Sequence, residues 1–155
     1  MLYDFGKSLK IKNLKDKDSI FKCEVNVIIM DKVGRLLLRY VAEDDKWTLP
    51  GGCLKIGQLL EDVAKAETYE QVGLRCRNLK VFSIYLNCNS YYENNVYDIK
   101  LVYVCKDISG QLVYDKAQGK VSLFFDIKRM PGKTSPFLRK VIDDLILRQE
   151  EVASW

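Results

Sequence analysis

The chain has 155 residues, of which 48% are hydrophobic and 30% charged, and its formal net charge is +4. This length and composition are typical of one globular domain with a core of its own, spanning residues 1–155. No apolar run predicts a transmembrane helix, and the first residues lack the apolar core of a signal peptide, so we expect a cytoplasmic protein.

The composition also limits the chemistry. The chain contains no histidine, which excludes Ser-His-Asp and Cys-His nucleophiles and histidine-ligated zinc. Its five cysteines are odd in number and include no CxxC pair, so neither a disulfide framework nor a structural zinc site is predicted. Catalysis by carboxylates and a metal ion is compatible with this composition.

The chain begins with a basic segment, residues 1–20, in which lysines are interspersed with aspartates. A solvated face is the favoured interpretation of such a segment over binding of nucleic acid. Phe21–Met30 and Arg35–Val41 are predicted to form the two strands of a hairpin. Pro50, Gly51 and Gly52 then interrupt regular structure.

A helix is predicted over Gln58–Val72, with Gly73 as its C-terminal stop. Its apolar face would consist of Leu59, Leu60, Val63 and Ala64. Leu79–Leu86, Tyr97–Cys105 and Val121–Ile127 are predicted strands, and Ser109-Gly110 is a predicted turn.

The final predicted helix, residues 135–148, has Ser135 as its N-terminal cap and Pro136 in its first turn. One apolar stripe along it is predicted to consist of Leu138, Val141, Ile142, Leu145 and Ile146. The residues after Arg148 are expected to be frayed. Together, these elements predict an α/β fold with a mixed β-sheet flanked by helices.

Carboxylates are concentrated on the first predicted helix. Glu67, Glu70 and Gln71 fall within an arc of about 100° around the helix axis. Clustered carboxylates can bind a divalent metal, but two glutamates three residues apart are also common on a solvated face. Tyr91, Tyr92 and Tyr97 present a similar choice between nucleobase stacking and ordinary strand positions.

The segment Trp47–Gly52 and the helix after it resemble the Nudix box. That pattern is Gly, five residues, Glu, seven residues, then Arg-Glu-aliphatic-any-Glu-Glu-any-Gly-aliphatic. Aligned from Gly52, the chain keeps Glu67, Glu70, Gly73 and Leu74. The other positions are replaced, with Gln58 for the first Glu, Ala66 for Arg, Thr68 for the aliphatic residue and Gln71 for the last Glu.

The resemblance implies a Nudix-type α/β/α sandwich and a set of site residues. It assigns Glu67 and Glu70 as catalytic residues, and Gly51 and Gly52 as the loop that binds the substrate. The implied cofactor is Mg²⁺ or Mn²⁺, with the Gly51 carbonyl, Glu67, Glu70 and Gln71 as metal ligands. A glutamine offers an oxygen but no charge, so we expect weakened metal binding.

Two functions remain open from the sequence. The first is a hydrolase that cleaves a pyrophosphate linkage in a nucleoside diphosphate derivative, with weak activity because the box is degenerate. The second is a catalytically silent domain that binds a nucleotide-like small molecule or a protein partner. A homodimer is one expected assembly, since dimers are common among soluble proteins.

Overall fold

The structure is a computed structural model that describes residues 20–87 and 96–155. The predicted basic segment, except Ile20, lies outside the described residues, as do Cys88, Tyr91 and Tyr92. None of the described helices is long and apolar enough to cross a membrane.

The largest sheet in the described residues is mixed. Its strand order is β4-β1-β7-β6. At its centre, β1 (Ile20–Ile29) runs parallel to β7 (Val96–Cys105) along its whole length. The flanking strands β4 (Gly51–Cys53) and β6 (Lys80–Asn87) are antiparallel to their neighbours. The parallel central pair explains why β1 and β7 can be apolar on both faces at their C-terminal ends.

The predicted hairpin of the first two strands is wrong. β2 (Leu36–Val41) lies in a second sheet, between β3 (Lys46–Thr48) and β9 (Val121–Phe125). Only an isolated bridge between Met30 and Leu36 joins it to the end of β1. The turn between the two strands forms, but β1 takes β4 and β7 as its partners instead of β2.

Sequence patterns also missed a small sheet. β5 (Leu74–Arg77) pairs antiparallel with β8 (Asp107–Gly110). The predicted turn at Ser109-Gly110 therefore lies within a strand. Four-residue strands carry too little periodicity to be recognised without their partner.

Helices cover the central sheet on both faces. α1 (Leu60–Val72) packs in one core with alternate residues of β1 and β7, including Val25 and Leu101. α2 (Pro136–Leu147) packs in the other core with the intervening residues, including Ile28 and Val102. This arrangement confirms the predicted α/β/α sandwich with a mixed sheet.

The ends of the two long helices agree with their predicted signals. Ser135 Oγ accepts a hydrogen bond of 3.1 Å from the Leu138 N–H, and Pro136 occupies the first turn of α2. Gly73 ends α1 in the left-handed conformation with φ of 80°, which favours glycine.

The predicted apolar face of α1 is partly wrong. Leu59 and Leu60 are exposed, whereas Val63 and Ala64 are buried as expected. The buried face continues instead through Thr68 and Val72. Leu59 precedes the helix and Leu60 is its first residue.

The chain after Arg148 is not frayed. It forms a third helix, α3 (Gln149–Ala153), whose Val152 is buried. Arg148 donates a hydrogen bond of 2.6 Å to the Phe82 carbonyl and stacks over the Phe82 ring. These contacts attach the tail to β6, which the sequence of the tail itself does not indicate.

Candidate functional site

The prediction that Gly51 and Gly52 interrupt regular structure is wrong, because with Cys53 they form β4, a short edge strand of the central sheet. Residues 50–52 are called the glycine loop below. Gly51 lies opposite Asn26 and Gly52 opposite Val25 in the antiparallel pairing of β4 with β1. A Cβ atom on Gly51 would lie 2.0 Å from the Val25 carbonyl oxygen. The close approach of these two backbones therefore requires glycine at position 51.

Glu67 reaches this loop from the middle of α1. A Cβ atom on Gly52 would lie 2.7 Å from Glu67 Cγ and 3.2 Å from its Oε2. The missing side chain at position 52 leaves the room that the half-buried Glu67 carboxylate occupies. The structure thus brings Gly51, Gly52 and Glu67 together, as the sequence predicted.

Gln71 joins the same group through its side-chain amide. Its Oε1 accepts a hydrogen bond of 3.0 Å from the Gly51 N–H. Its Nε2 donates one of 2.6 Å to the Gly51 carbonyl and one of 3.1 Å to Glu67 Oε2. Gln71 therefore links the loop to the helix, and it presents hydrogens to the Gly51 carbonyl and the Glu67 carboxylate.

Glu70 lies apart from these residues. Its side chain is 74% exposed, and its Oε1 is 3.4 Å from Lys120 Nζ in the segment before β9. Around the helix axis, positions 70 and 71 lie on opposite sides of position 67. The loop approaches on the side of Gln71, and Glu70 is left beside Lys120.

The four predicted metal ligands therefore do not form one complete set. Among the described residues, no group of three or more His, Cys, Asp or Glu side chains could hold a metal ion. Two oxygens do converge, because the Gly51 carbonyl and Glu67 Oε2 both bond to Gln71 Nε2. This pair fits one divalent cation, provided that the Gln71 amide gives up its position.

The three other replaced positions of the box are Gln58, Ala66 and Thr68, and each has a different environment. Gln58 Oε1 accepts a hydrogen bond of 2.9 Å from the Lys55 N–H, at an exposed position before α1. Ala66 is exposed and carries no group that could orient Glu67. Thr68 is fully buried, and the structure gives its hydroxyl no bond back to the helix.

Arg39 is a candidate that sequence patterns missed. It lies on β2, and its Nε is buried with no hydrogen-bond partner among the described residues. Burial lowers the pKa of the guanidinium, and the carboxylates of Glu67 and Glu43 act against that shift. Arg39 is therefore a positive charge that interacts with the Glu67 carboxylate. A lone arginine in a strand gives no sequence signal for this role.

A polar cluster occupies the α2 side of the central sheet, beside Gly51 and Gly52. Glu24 lies opposite Cys53 on β4 and opposite Lys100 on β7. Its carboxylate pairs with Lys100 and with Lys22, the latter at 2.8 Å, and Lys100 lies 3.5 Å from Asp98. Charged residues at alternate positions of a strand were the available signal for this cluster.

Tyr97 has a partner of its own. Its ring stacks on that of Phe21, with 4.9 Å between the centroids. Phe21 is 72% exposed, so the pair lies at the surface where β1 and β7 begin. Stacking on a nucleobase by this tyrosine stays a prediction.

The Glu24 cluster predicts a dependence of stability on pH. Burial alone would raise the Glu24 pKa, but hydrogen bonds from Lys100 and Lys22 outweigh burial and hold the pKa below its ordinary value of 4.5. A lowered pKa in the folded state stabilises the protein above the ordinary value, and this contribution disappears as the pH falls through the folded-state pKa. Glu24→Gln should therefore cost about 1–3 kcal/mol near neutral pH.

Urea unfolding of the wild type and Glu24→Gln between neutral pH and about pH 3 measures this difference. The two free energies of unfolding should converge in the acid range, because the wild type loses the ion pairs that the variant lacks. Parallel curves across that range would contradict the assignment.

Comparisons with known proteins agree with this geometry. A sequence model described as the NUDIX domain matches residues 21–145. No curated protein sequence matches the chain.

Solved structures share the fold at low sequence identity. A MutT NUDIX hydrolase from Burkholderia pseudomallei has a TM-score of 0.70 and 18% identity, covering 81% of this chain and 98% of its own. A MutT protein from Methanosarcina mazei Go1 has a TM-score of 0.70 and 14% identity, covering 84% and 96%. An ADP-ribose pyrophosphatase from Streptococcus suis 89-1591 has a TM-score of 0.57 and 20% identity, covering 84% and 91%.

The NUDIX domain match extends well beyond the box itself, from β1 to near the end of α2. It agrees with the α/β/α sandwich of the described residues. The chain therefore belongs to the Nudix hydrolase superfamily.

Proposed function

We propose that this protein slowly hydrolyses a pyrophosphate linkage in a nucleoside diphosphate derivative, with Mg²⁺ or Mn²⁺ as the cofactor. The observation that carries the proposal is the convergence of the Gly51 carbonyl and Glu67 Oε2 on one point. The names of two similar structures, an ADP-ribose pyrophosphatase and a UDP-X diphosphatase, support this substrate class. The small-molecule partner would be nucleotide-like.

In this proposal the Gly51 carbonyl and Glu67 Oε2 hold the cation. When bound, a divalent cation neutralises charge on phosphoryl oxygens and makes water more acidic. Glu67 Oε1 accepts no hydrogen bond from the residues that the structure describes, so it can take a proton from the attacking water. Cleavage of the phosphorus–oxygen bond would give two phosphorylated products.

In the proposal, the other residues near Glu67 position the substrate or add a metal ligand. Gly51 and Gly52 shape the phosphate site, since residues without side chains let phosphate oxygens approach the backbone. The Arg39 guanidinium is a cation that interacts electrostatically with Glu67, and its Nε has no hydrogen-bond partner among the described residues. Glu70 would join the metal site only after leaving Lys120, and an exposed ion pair of 3.4 Å costs little to break.

A silent binding domain is the second candidate, and a specific observation favours it. The Gln71 amide already bonds to both oxygens that would hold the cation. Such a domain would recognise a nucleotide-like ligand without hydrolysing it.

A turnover assay tests the proposed hydrolysis. The protein would be incubated with nucleoside triphosphates, nucleotide sugars, ADP-ribose and dinucleoside polyphosphates, with Mg²⁺ or Mn²⁺, and phosphate release followed after phosphatase treatment. We expect slow, metal-dependent cleavage of one substrate class. Glu67→Gln should reduce the rate by a factor of about 100 or more, because the carboxylate both holds the cation and accepts the proton.

Glu61→Gln is the matched control. It makes the same change on the same helix, but Glu61 pairs with Lys65 at 3.6 Å and lies on the exposed side of α1. Its rate should equal that of the wild type. A silent panel combined with a nucleotide-induced thermal shift would favour the binding domain instead.

A further inference from the structure

The Gln71 side chain has one defined orientation. The Gly51 N–H can only donate a hydrogen bond and the Gly51 carbonyl can only accept one. The amide oxygen must therefore face the Gly51 N–H at 3.0 Å, and the amide nitrogen must face the Gly51 carbonyl at 2.6 Å. The third contact, from Nε2 to Glu67 Oε2 at 3.1 Å, is compatible with that orientation alone.

In this orientation the amide nitrogen donates hydrogen bonds to two acceptors. Its two hydrogens are directed to the Gly51 carbonyl and to the Glu67 carboxylate. The positive end of the amide dipole thus lies where two partly buried oxygens meet. Without a donor there, these oxygens would face each other uncompensated, which is unfavourable at a partly buried site.

We propose that the Gln71 amide is a built-in substitute for a cation. The three residues Gly51, Glu67 and Gln71 form an amide clamp that joins the glycine loop to α1 in the absence of metal. The inference rests on the proposed function for the choice of divalent metal as the competing ligand. The clamp itself rests on the three hydrogen bonds of the Gln71 amide.

A metal ion and the Gln71 amide nitrogen cannot both lie between the Gly51 carbonyl and Glu67 Oε2. Magnesium binds oxygen ligands at about 2.0–2.1 Å, whereas Nε2 already lies 2.6 Å from the Gly51 carbonyl. Glu67 Cγ and Cδ already occupy the space left by the missing side chain of Gly52, within 2.9 Å of where its Cβ would lie. A divalent ion must therefore displace the amide, and the cost of breaking three hydrogen bonds is subtracted from its binding.

The clamp predicts that metal hardly stabilises the wild type, whereas Gln71→Glu makes stability depend on metal. A glutamate at position 71 offers no hydrogen to the Gly51 carbonyl, and it brings a second carboxylate beside Glu67. Without a cation that arrangement is repulsive, and with one it supplies three oxygen ligands.

Thermal unfolding in EDTA and in millimolar Mg²⁺ or Mn²⁺ tests the clamp without measuring turnover. The wild-type Tm should change by less than about 1 °C. The Tm of Gln71→Glu should be lower by several degrees in EDTA and should rise by several degrees with metal. Gln71→Leu removes the clamp without adding a ligand, so its Tm should be low under all conditions.

Gln58→Glu is the matched control. It adds the same charge near the start of α1, but Gln58 bonds to the Lys55 N–H and not to Gly51 or Glu67. It should show no metal response. If Gln71→Glu does not fold, the Tm values of the wild type and Gln71→Leu, with and without metal, still test the clamp.

The proposal is contradicted if metal raises the wild-type Tm by several degrees, or if the Tm of Gln71→Leu equals that of the wild type. Neither result depends on finding a substrate. A silent turnover panel would therefore count against the proposed hydrolysis and leave the clamp standing.

Discussion

Gly51→Ala should destabilise the protein by about 3 kcal/mol or more, since overpacking against a fixed group is at the severe end of single substitutions. The new Cβ would lie 2.0 Å from the Val25 carbonyl oxygen and 2.8 Å from the Asn26 Cα. Both are backbone atoms of β1, the strand at the centre of the largest sheet. Relief would require β4 to separate from β1.

Gly52→Ala provides the comparison at the next position. Its Cβ would meet the Glu67 side chain, 2.7 Å from Cγ, and no backbone atom is as close. A side chain can rotate away, so we expect a cost of about 1 kcal/mol. Urea unfolding of both variants measures the two costs. Equal stability of the two variants would contradict the close approach of β4 to β1.

Leu138→Ala should cost about 2–5 kcal/mol, the usual range for removing a buried leucine side chain. Leu138 is fully buried in the first turns of α2. It belongs to the core formed with Ile28 and Val102 of the central sheet, so a cavity would open between helix and sheet.

Leu147→Ala is the matched control on the same helix. Leu147 is 83% exposed, and the substitution should change stability by less than about 0.5 kcal/mol. Chemical unfolding of the two variants gives both values under one set of conditions. Similar losses for the two leucines would contradict the burial pattern of α2.

The two long helices show how far a sequence pattern can predict packing. In α2, apolar residues recur at helical spacing along its length. The predicted positions Leu138, Val141, Ile142 and Leu145 are buried, whereas the fifth, Ile146, is 43% exposed. In α1, the leucines at the start were assigned to the core and are exposed. There the pattern gave the wrong face, because the buried face is formed by Val63, Ala64, Thr68 and Val72.

Strand partners were harder to predict than strands. The positions of β1 and β2 were predicted to within one residue of their observed ends, but their pairing was wrong. A hairpin is the most local choice for two neighbouring strands. β1 instead pairs in parallel with β7, whose first residue pairs with Ile20 across 76 positions of the chain. Such distant pairing depends on burial of both sheet faces, which no local pattern records.

The sequence by itself determined which residues could meet at the site. Glu67 and Gln71 are four residues apart on a helix, so their side chains lie on one face, and the two glycines allow a close approach to their backbone. The tertiary structure decided which of them do meet. Pairing of β4 with β1 holds Gly51 on the side of α1 where Gln71 projects, and Glu70 on the other side is left with Lys120. The physical reason is that the spacing along a helix sets angles around its axis, whereas the direction from which another segment approaches is set by the sheet.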